Sequence, residues 1–205
     1  MNDERFAAER LPAPPNGSAS APAAGPATLA EFLAWPESDP PSEFVDGRVV
    51  EKPPPVGPEL WLRADLTALL YGWARVSHLG AVAAVVRCTF GGNSYLPDLV
   101  YYAPEHRPVG LADAGGALTA PPDFVAEICP SSVDPAWVGH KLARMVAGGV
   151  RLAWLIDPAE RTATVYRPGQ PPLALRSGGM LDGADVLPRF YVFLDDLFEV
   201  LDEGG

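Results

Sequence analysis

The sequence predicts an α/β domain, a mixed β-sheet flanked by helices. Three observations carry that reading. Two extended pieces, residues 43–45 and 48–50, flank Asp46-Gly47 and mark an early hairpin. Residues 124–129 alternate cleanly, with Phe124, Ala126 and Ile128 on one face and Val125, Glu127 and Cys129 on the other. After them a helical stripe opened by Pro135 leads to a nearly continuous apolar run over 150–156, a strand–helix–strand unit.

The elements follow in order. Residues 1–27 are rich in Ala, Pro, Gly and Ser with one aromatic, Phe6, and are expected to be a disordered tail. The domain is placed at 28–205. Thr28 is an N-cap for a short helix stopped by Pro36. A proline cluster over 53–58 precedes a long helix with the apolar stripe Leu62, Leu66, Leu69, Leu70 and Trp73. Residues 81–90, rich in Val, read as one buried strand, and 96–102 as another opened by Pro97-Asp98. A long loop over 103–122 contains Gly115-Gly116. Asp134 caps the next helix, whose stripe is Val138, Leu142, Met145 and Val146 and which Gly148-Gly149 ends. Residues 163–166 form a strand, and an acidic helix runs through 195–201.

Composition excludes several classes. Only two cysteines and three scattered histidines occur, which argues against a disulfide framework and a structural zinc site and fits a reducing, cytoplasmic setting. No stretch reaches the ~18 apolar residues that cross a bilayer, and the start lacks a signal peptide's pattern. The formal charge of −11 disfavours a protein coated in nucleic acid. Charge is uneven, however. Residues 137–167 carry Lys141, Arg144, Arg151, Arg161 and Arg167 against Asp157 and Glu160, while 182–203 hold seven acids and Arg189. A basic face on an acidic body remains open.

The residues suited to chemistry are Asp98, Glu127 and Lys141. If their strands pair, Asp98 and Glu127 bring two hard oxygen ligands together, as magnesium accepts beside waters and phosphate. Glu127 lies in an apolar stretch where an unpaired carboxylate is costly, and a nearby cation removes that cost. Lys141 is one of two lysines among fifteen lysines and arginines, and borders its helix's buried stripe. There it could orient water or stabilise charge on a phosphate. Each residue also has a plain reading. Asp98 serves as a strand-entry turn, Glu127 pairs with an arginine such as Arg87, Lys141 snorkels, Cys88 and Cys129 fill core, and Glu43 enters the hairpin.

From Thr28 onward the chain resembles the large bacterial restriction-endonuclease branch of the PD-(D/E)XK nucleases. The resemblance runs through Thr28-Leu-Ala-Glu-Phe-Leu, Glu43-Phe-Val-Asp46-Gly47-Arg and Leu96-Pro97-Asp98-Leu99-Val100. It continues in Pro122-Asp123-Phe-Val-Ala-Glu127-Ile-Cys-Pro130-Ser131-Ser132, Lys141, Gly149-Val150 and Trp154-Leu-Ile-Asp157-Pro158. It implies a restriction-endonuclease-like fold, with Asp98 and Glu127 as metal ligands and Glu43 supplementing them. In the wider superfamily the lysine stands two residues after the glutamate, where this chain has Cys129; in this branch it moves to the next helix, matching Lys141. The branch usually has a tyrosine where Met145 stands, and a histidine near Glu59 or Leu60.

The expected activity is therefore a Mg²⁺- or Mn²⁺-dependent endonuclease, a phosphodiesterase whose partner is nucleic acid, DNA foremost, with no membrane and with a homodimer admissible. The rival is an accessory protein that keeps the nuclease fold and binds nucleic acid or protein with little or no catalysis. A serine hydrolase is disfavoured, since Gly91-Gly92-Asn93-Ser94 lacks a G-x-S-x-G elbow.

Overall fold

The computed structural model describes residues 25–108 and 117–202. The expected tail falls almost wholly, and Gly115-Gly116 entirely, outside the described residues. The elements are α1 (Leu29–Ala34), β1 (Ser42–Val45), β2 (Arg48–Glu51), α2 (Pro58–Ser77), β3 (Ala81–Ala84), β4 (Cys88–Phe90), β5 (Asn93–Tyr95) and β6 (Leu99–Tyr102). There follow β7 (Phe124–Ile128), α3 (Pro135–Ala147), β8 (Leu152–Asp157), β9 (Thr162–Tyr166), β10 (Leu173–Leu175), β11 (Met180–Asp182), β12 (Tyr191–Phe193) and α4 (Leu194–Glu199).

The main sheet runs β10-β9-β8-β7-β6-β3, and a smaller one runs β2-β1-β5-β4. Within the main sheet β7 and β8 are parallel and joined through α3, as a parallel pair needs a crossover. The expected alternation of β7 divides two cores. Phe124, Ala126 and Ile128 pack with Leu62, Leu66 and Leu70 of α2 and with Leu197 and Phe198 of α4. Val125 and Cys129 pack with Val138, Leu142 and Met145 of α3 and with Val45 and Tyr95 of the small sheet. Both predicted caps form: Thr28 closes a capping box with Glu31, and Asp134 accepts from the Ala136 N–H at 2.8 Å.

Several elements differ from expectation for local reasons. Residues 81–90 do not make one buried strand. Val85 takes φ 51 and donates its N–H to the Asp98 carbonyl at 3.2 Å, so β3 ends and the chain moves to the small sheet as β4. Leu69 is 46% exposed, outside the stripe of α2. The three short strands β10, β11 and β12 follow Tyr166 where the sequence, broken by Pro and Gly, gave no periodic signal.

Three arginines of the basic run are ion-paired, two of them with acids of the C-terminal stretch. Arg151 pairs with Asp123 and Asp185, Arg161 with Asp202, and Arg144 with Asp46. Arg167 donates to the Asp182 carbonyl. These arginines form no unpaired basic face.

Gly80 sits between α2 and β3 at φ +70, and a Cβ there would lie 2.1 Å from the Tyr102 carbonyl oxygen. Gly80→Ala combines left-handed backbone strain with a clash against fixed backbone. It is expected to destabilise the chain by about 3 kcal/mol, read by urea unfolding.

Candidate active site

Four segments converge at one end of the β6–β7 pair. The β6–β7 register sets Leu99 opposite Ala126, so Asp98, just before β6, lies beside Glu127 near the end of β7. The Asp98 Oδ2 accepts the Ile128 N–H at 2.8 Å, which fixes the loop residue to the neighbouring strand. Glu127 is the one charged side chain on the α3-facing side of β7, and β7 is buried throughout.

Lys141 lies three residues after Val138 on α3, on the buried side of the helix. Its Nζ is 2.8 Å from Glu127 Oε1 and 3.0 Å from Glu43 Oε2. The Lys141 ammonium is the cation that faces this buried Glu127 oxygen. Glu43 of β1 accepts from Lys141 with both oxygens and takes the Leu96 N–H on Oε1 at 2.6 Å. Glu43 thus ties the small sheet to the entry of β6, and both its oxygens are engaged.

The sequence reading missed Lys52, which follows β2. Its Nζ is 2.9 Å from Asp98 Oδ1 and 3.1 Å from Glu127 Oε2, and donates to the Leu96 carbonyl at 2.5 Å. Arg63 of α2 stands 3.9 Å from Asp98 Oδ1. Arg87, the arginine proposed for Glu127, instead pairs with Glu37 and lies over the Phe32 ring. Glu59 also has a role that was not anticipated: its buried carboxylate accepts the Ser131 and Val56 N–H groups and joins the start of α2 to the loop after β7.

Electrostatics distinguishes the acids. Burial raises the Glu127 carboxyl, and the charges of Asp98 and Glu43 add to that against the pull of Lys141 and Lys52, leaving it above the ordinary range. Burial also opposes ionisation of Asp98, but Lys52 and the Ile128 N–H outweigh it and hold Asp98 low. Glu43 is held low against its burial by Lys141, Lys52 and the Leu96 N–H. Burial pushes both thiols, Cys88 and Cys129, up to about 12, so neither is a thiolate nucleophile at neutral pH.

Glu43, Glu51, Glu127, Lys52 and Lys141, with Trp137 and Pro130, line a cavity of about 20 Å³, room for one water or ion. Among the described residues no three acidic, His or Cys side chains meet at one metal-sized point. The oxygens suited to a hard cation are Asp98 Oδ1 and Glu127 Oε2, already gathered on one ammonium. A larger cleft of about 700 Å³, between α2 and Pro188-Arg189, is lined by no carboxylate. No described helix is long and apolar enough to cross a membrane.

No functionally curated protein matches the sequence. Among solved structures, a "putative nuclease belonging to DUF820" from Anabaena variabilis superposes with a TM-score of 0.76 at 25% identity, over 86% of this chain and 99% of that one. The DrdV–DNA complex matches with a TM-score of 0.39 and 17% identity, over 70% of this chain and 11% of that one. The family model described as "Putative restriction endonuclease" (Uma2) spans residues 29–195. The chain therefore belongs to that restriction-endonuclease family and has its mixed α/β nuclease fold.

Proposed function

We propose that this chain is a divalent-metal-dependent endonuclease that cleaves DNA. The observation that carries the reading is the convergence of Asp98 and Glu127 on a single cationic position, with Lys141 against the other oxygen of Glu127. Their donor set suits Mg²⁺ or Mn²⁺, which when bound would polarise a phosphate and acidify a water. Asp98, kept ionised and fixed by the Ile128 N–H, supplies a permanent anionic ligand. Glu127, less ready to ionise on its own, would be held as the carboxylate by the ion and supplies its second anionic ligand. Lys141 compensates charge next to it. Glu43 acts through Lys141, by fixing the ammonium, and is a positioning residue in this reading.

Because Arg144, Arg151 and Arg161 of the basic run face carboxylates, phosphate contacts at the site fall to Lys52, Lys141 and Arg63. The test is purified protein with supercoiled plasmid, single-stranded DNA and RNA, each with Mg²⁺, Mn²⁺ or EDTA. The expected result is nicking of plasmid that EDTA abolishes. Metal-independent cleavage, or no cleavage of any substrate, contradicts the proposal. The second outcome returns the chain to an accessory role, which the ion-paired site and its small cavity also favour.

A further inference from the structure

We infer that Lys52 is a resident cation: its ammonium holds the place between Asp98 and Glu127 that a divalent ion takes, and the ion enters by displacing it. The inference rests on the metal-dependent reading above.

An ammonium has three donors, and those of Lys52 have three partners, Asp98 Oδ1, Glu127 Oε2 and the Leu96 carbonyl. Of the cations at the site, Lys52 alone lies within 3.1 Å of both carboxylates. Lys141 bridges Glu127 to Glu43 on the other side, and Arg63 stands off at 3.9 Å from Asp98. The three buried carboxylates, Asp98, Glu127 and Glu43, are already ion-paired to Lys52, Lys141 and Arg63, with the exposed Glu51 at the rim. A dication added without a departure would leave a large excess of positive charge in a buried site. The ammonium itself fills the gap between the two carboxylates, 2.9 Å from Asp98 Oδ1 and 3.1 Å from Glu127 Oε2, so an ion that binds both must take its place.

The backbone allows the exchange. The Lys52 N–H donates to the Pro41 carbonyl at 2.8 Å, and Pro53, Pro54 and Pro55 follow, so the main chain is held. The four-carbon stem is free to swing, and the side chain is already 11% exposed. Displacement is a change of side-chain rotamer.

Two measurements test this. Lys52 and Lys141 are the only lysines in the chain, so reductive methylation followed by peptide mass spectrometry reads each separately. Lys52 should be slow to react without metal and speed up about tenfold at saturating Mn²⁺, with Lys141 unchanged, because only Lys52 loses its carboxylate partners. In calorimetry, Lys52→Met should bind Mn²⁺ about tenfold more tightly than wild type, a gain that Arg63→Met, which removes the same charge from a different place, should not match. The labelling uses the wild-type chain, so the inference stays testable if Lys52→Met folds poorly. Flat Lys52 labelling at saturating metal, or equal tightening by both variants, overturns the inference and leaves the metal-dependent reading standing. No metal binding by wild type or Lys52→Met overturns both.

Discussion

Lys141→Met is expected to destabilise the chain by about 3–5 kcal/mol, one of the largest effects of any single substitution at the site. The loss is not the Coulomb energy of a salt bridge. Removing the ammonium leaves Glu43 and Glu127 buried, with their charges facing each other and one partner fewer. Urea unfolding at pH 7 measures it. A change below about 1 kcal/mol would place Lys141 among ordinary boundary lysines that reach solvent.

The pH dependence has a definite sign. Burial lowers the Lys141 pKa, but Glu127 and Glu43 outweigh it and raise it above the ordinary 10.5, so its stabilisation is present below 10.5 and is lost only as pH rises through the higher folded value. The Glu43 carboxyl is held below 4.5, so its contribution is present above 4.5 and is lost as pH falls through the lower folded value. The wild type should therefore lose more stability than Lys141→Met as pH drops below 4.5, and the two unfolding curves should approach each other in acid.

The second large effect is on turnover. Asp98→Asn and Glu127→Gln should each slow metal-dependent cleavage by about 100- to 1,000-fold, the scale of removing one preorganised electrostatic group. Asn at 98 still accepts the Ile128 N–H but turns its amide NH2 toward the Lys52 ammonium, so stability falls as well and turnover is compared per folded protein. Near-ultraviolet circular dichroism or fluorescence melting at matched conditions separates the two. Cleavage within a few fold of wild type in either variant would remove that carboxylate from the chemistry.

Much of this arrangement was legible in residue order. The two faces of β7 follow from alternation, and they send Glu127 toward α3, where the position of Lys141 beside Val138 is equally readable. The Asp-Gly hairpin and the β7–α3–β8 unit also follow from local signals. Lys52 was not legible as a site residue. It follows a two-stranded hairpin by one position and precedes prolines, and nothing local says that the small sheet folds its end against β6. The one available signal was scarcity, because the chain uses arginine wherever a surface cation suffices and keeps lysine at two positions. The same non-local pairing hid the fate of the basic run. Its arginines find acids far along the chain, such as Asp185 and Asp202, so a local charge count misreads the surface. Val85, which breaks the expected strand, is set by a tertiary bond to the Asp98 carbonyl that no propensity encodes.

Metal-dependent cleavage at this site requires that Asp98 and Glu127 together hold a divalent ion. Thermal or urea unfolding of the wild type and Asp98→Asn, with and without Mn²⁺, is the direct measurement. At a concentration about 100 times its dissociation constant, the ion should stabilise the wild type by about 2.7 kcal/mol and leave Asp98→Asn unmoved. Equal stabilisation of both proteins, or none in the wild type while EDTA-sensitive cleavage persists, would mean that the metal is held elsewhere and that this acidic pair is structural.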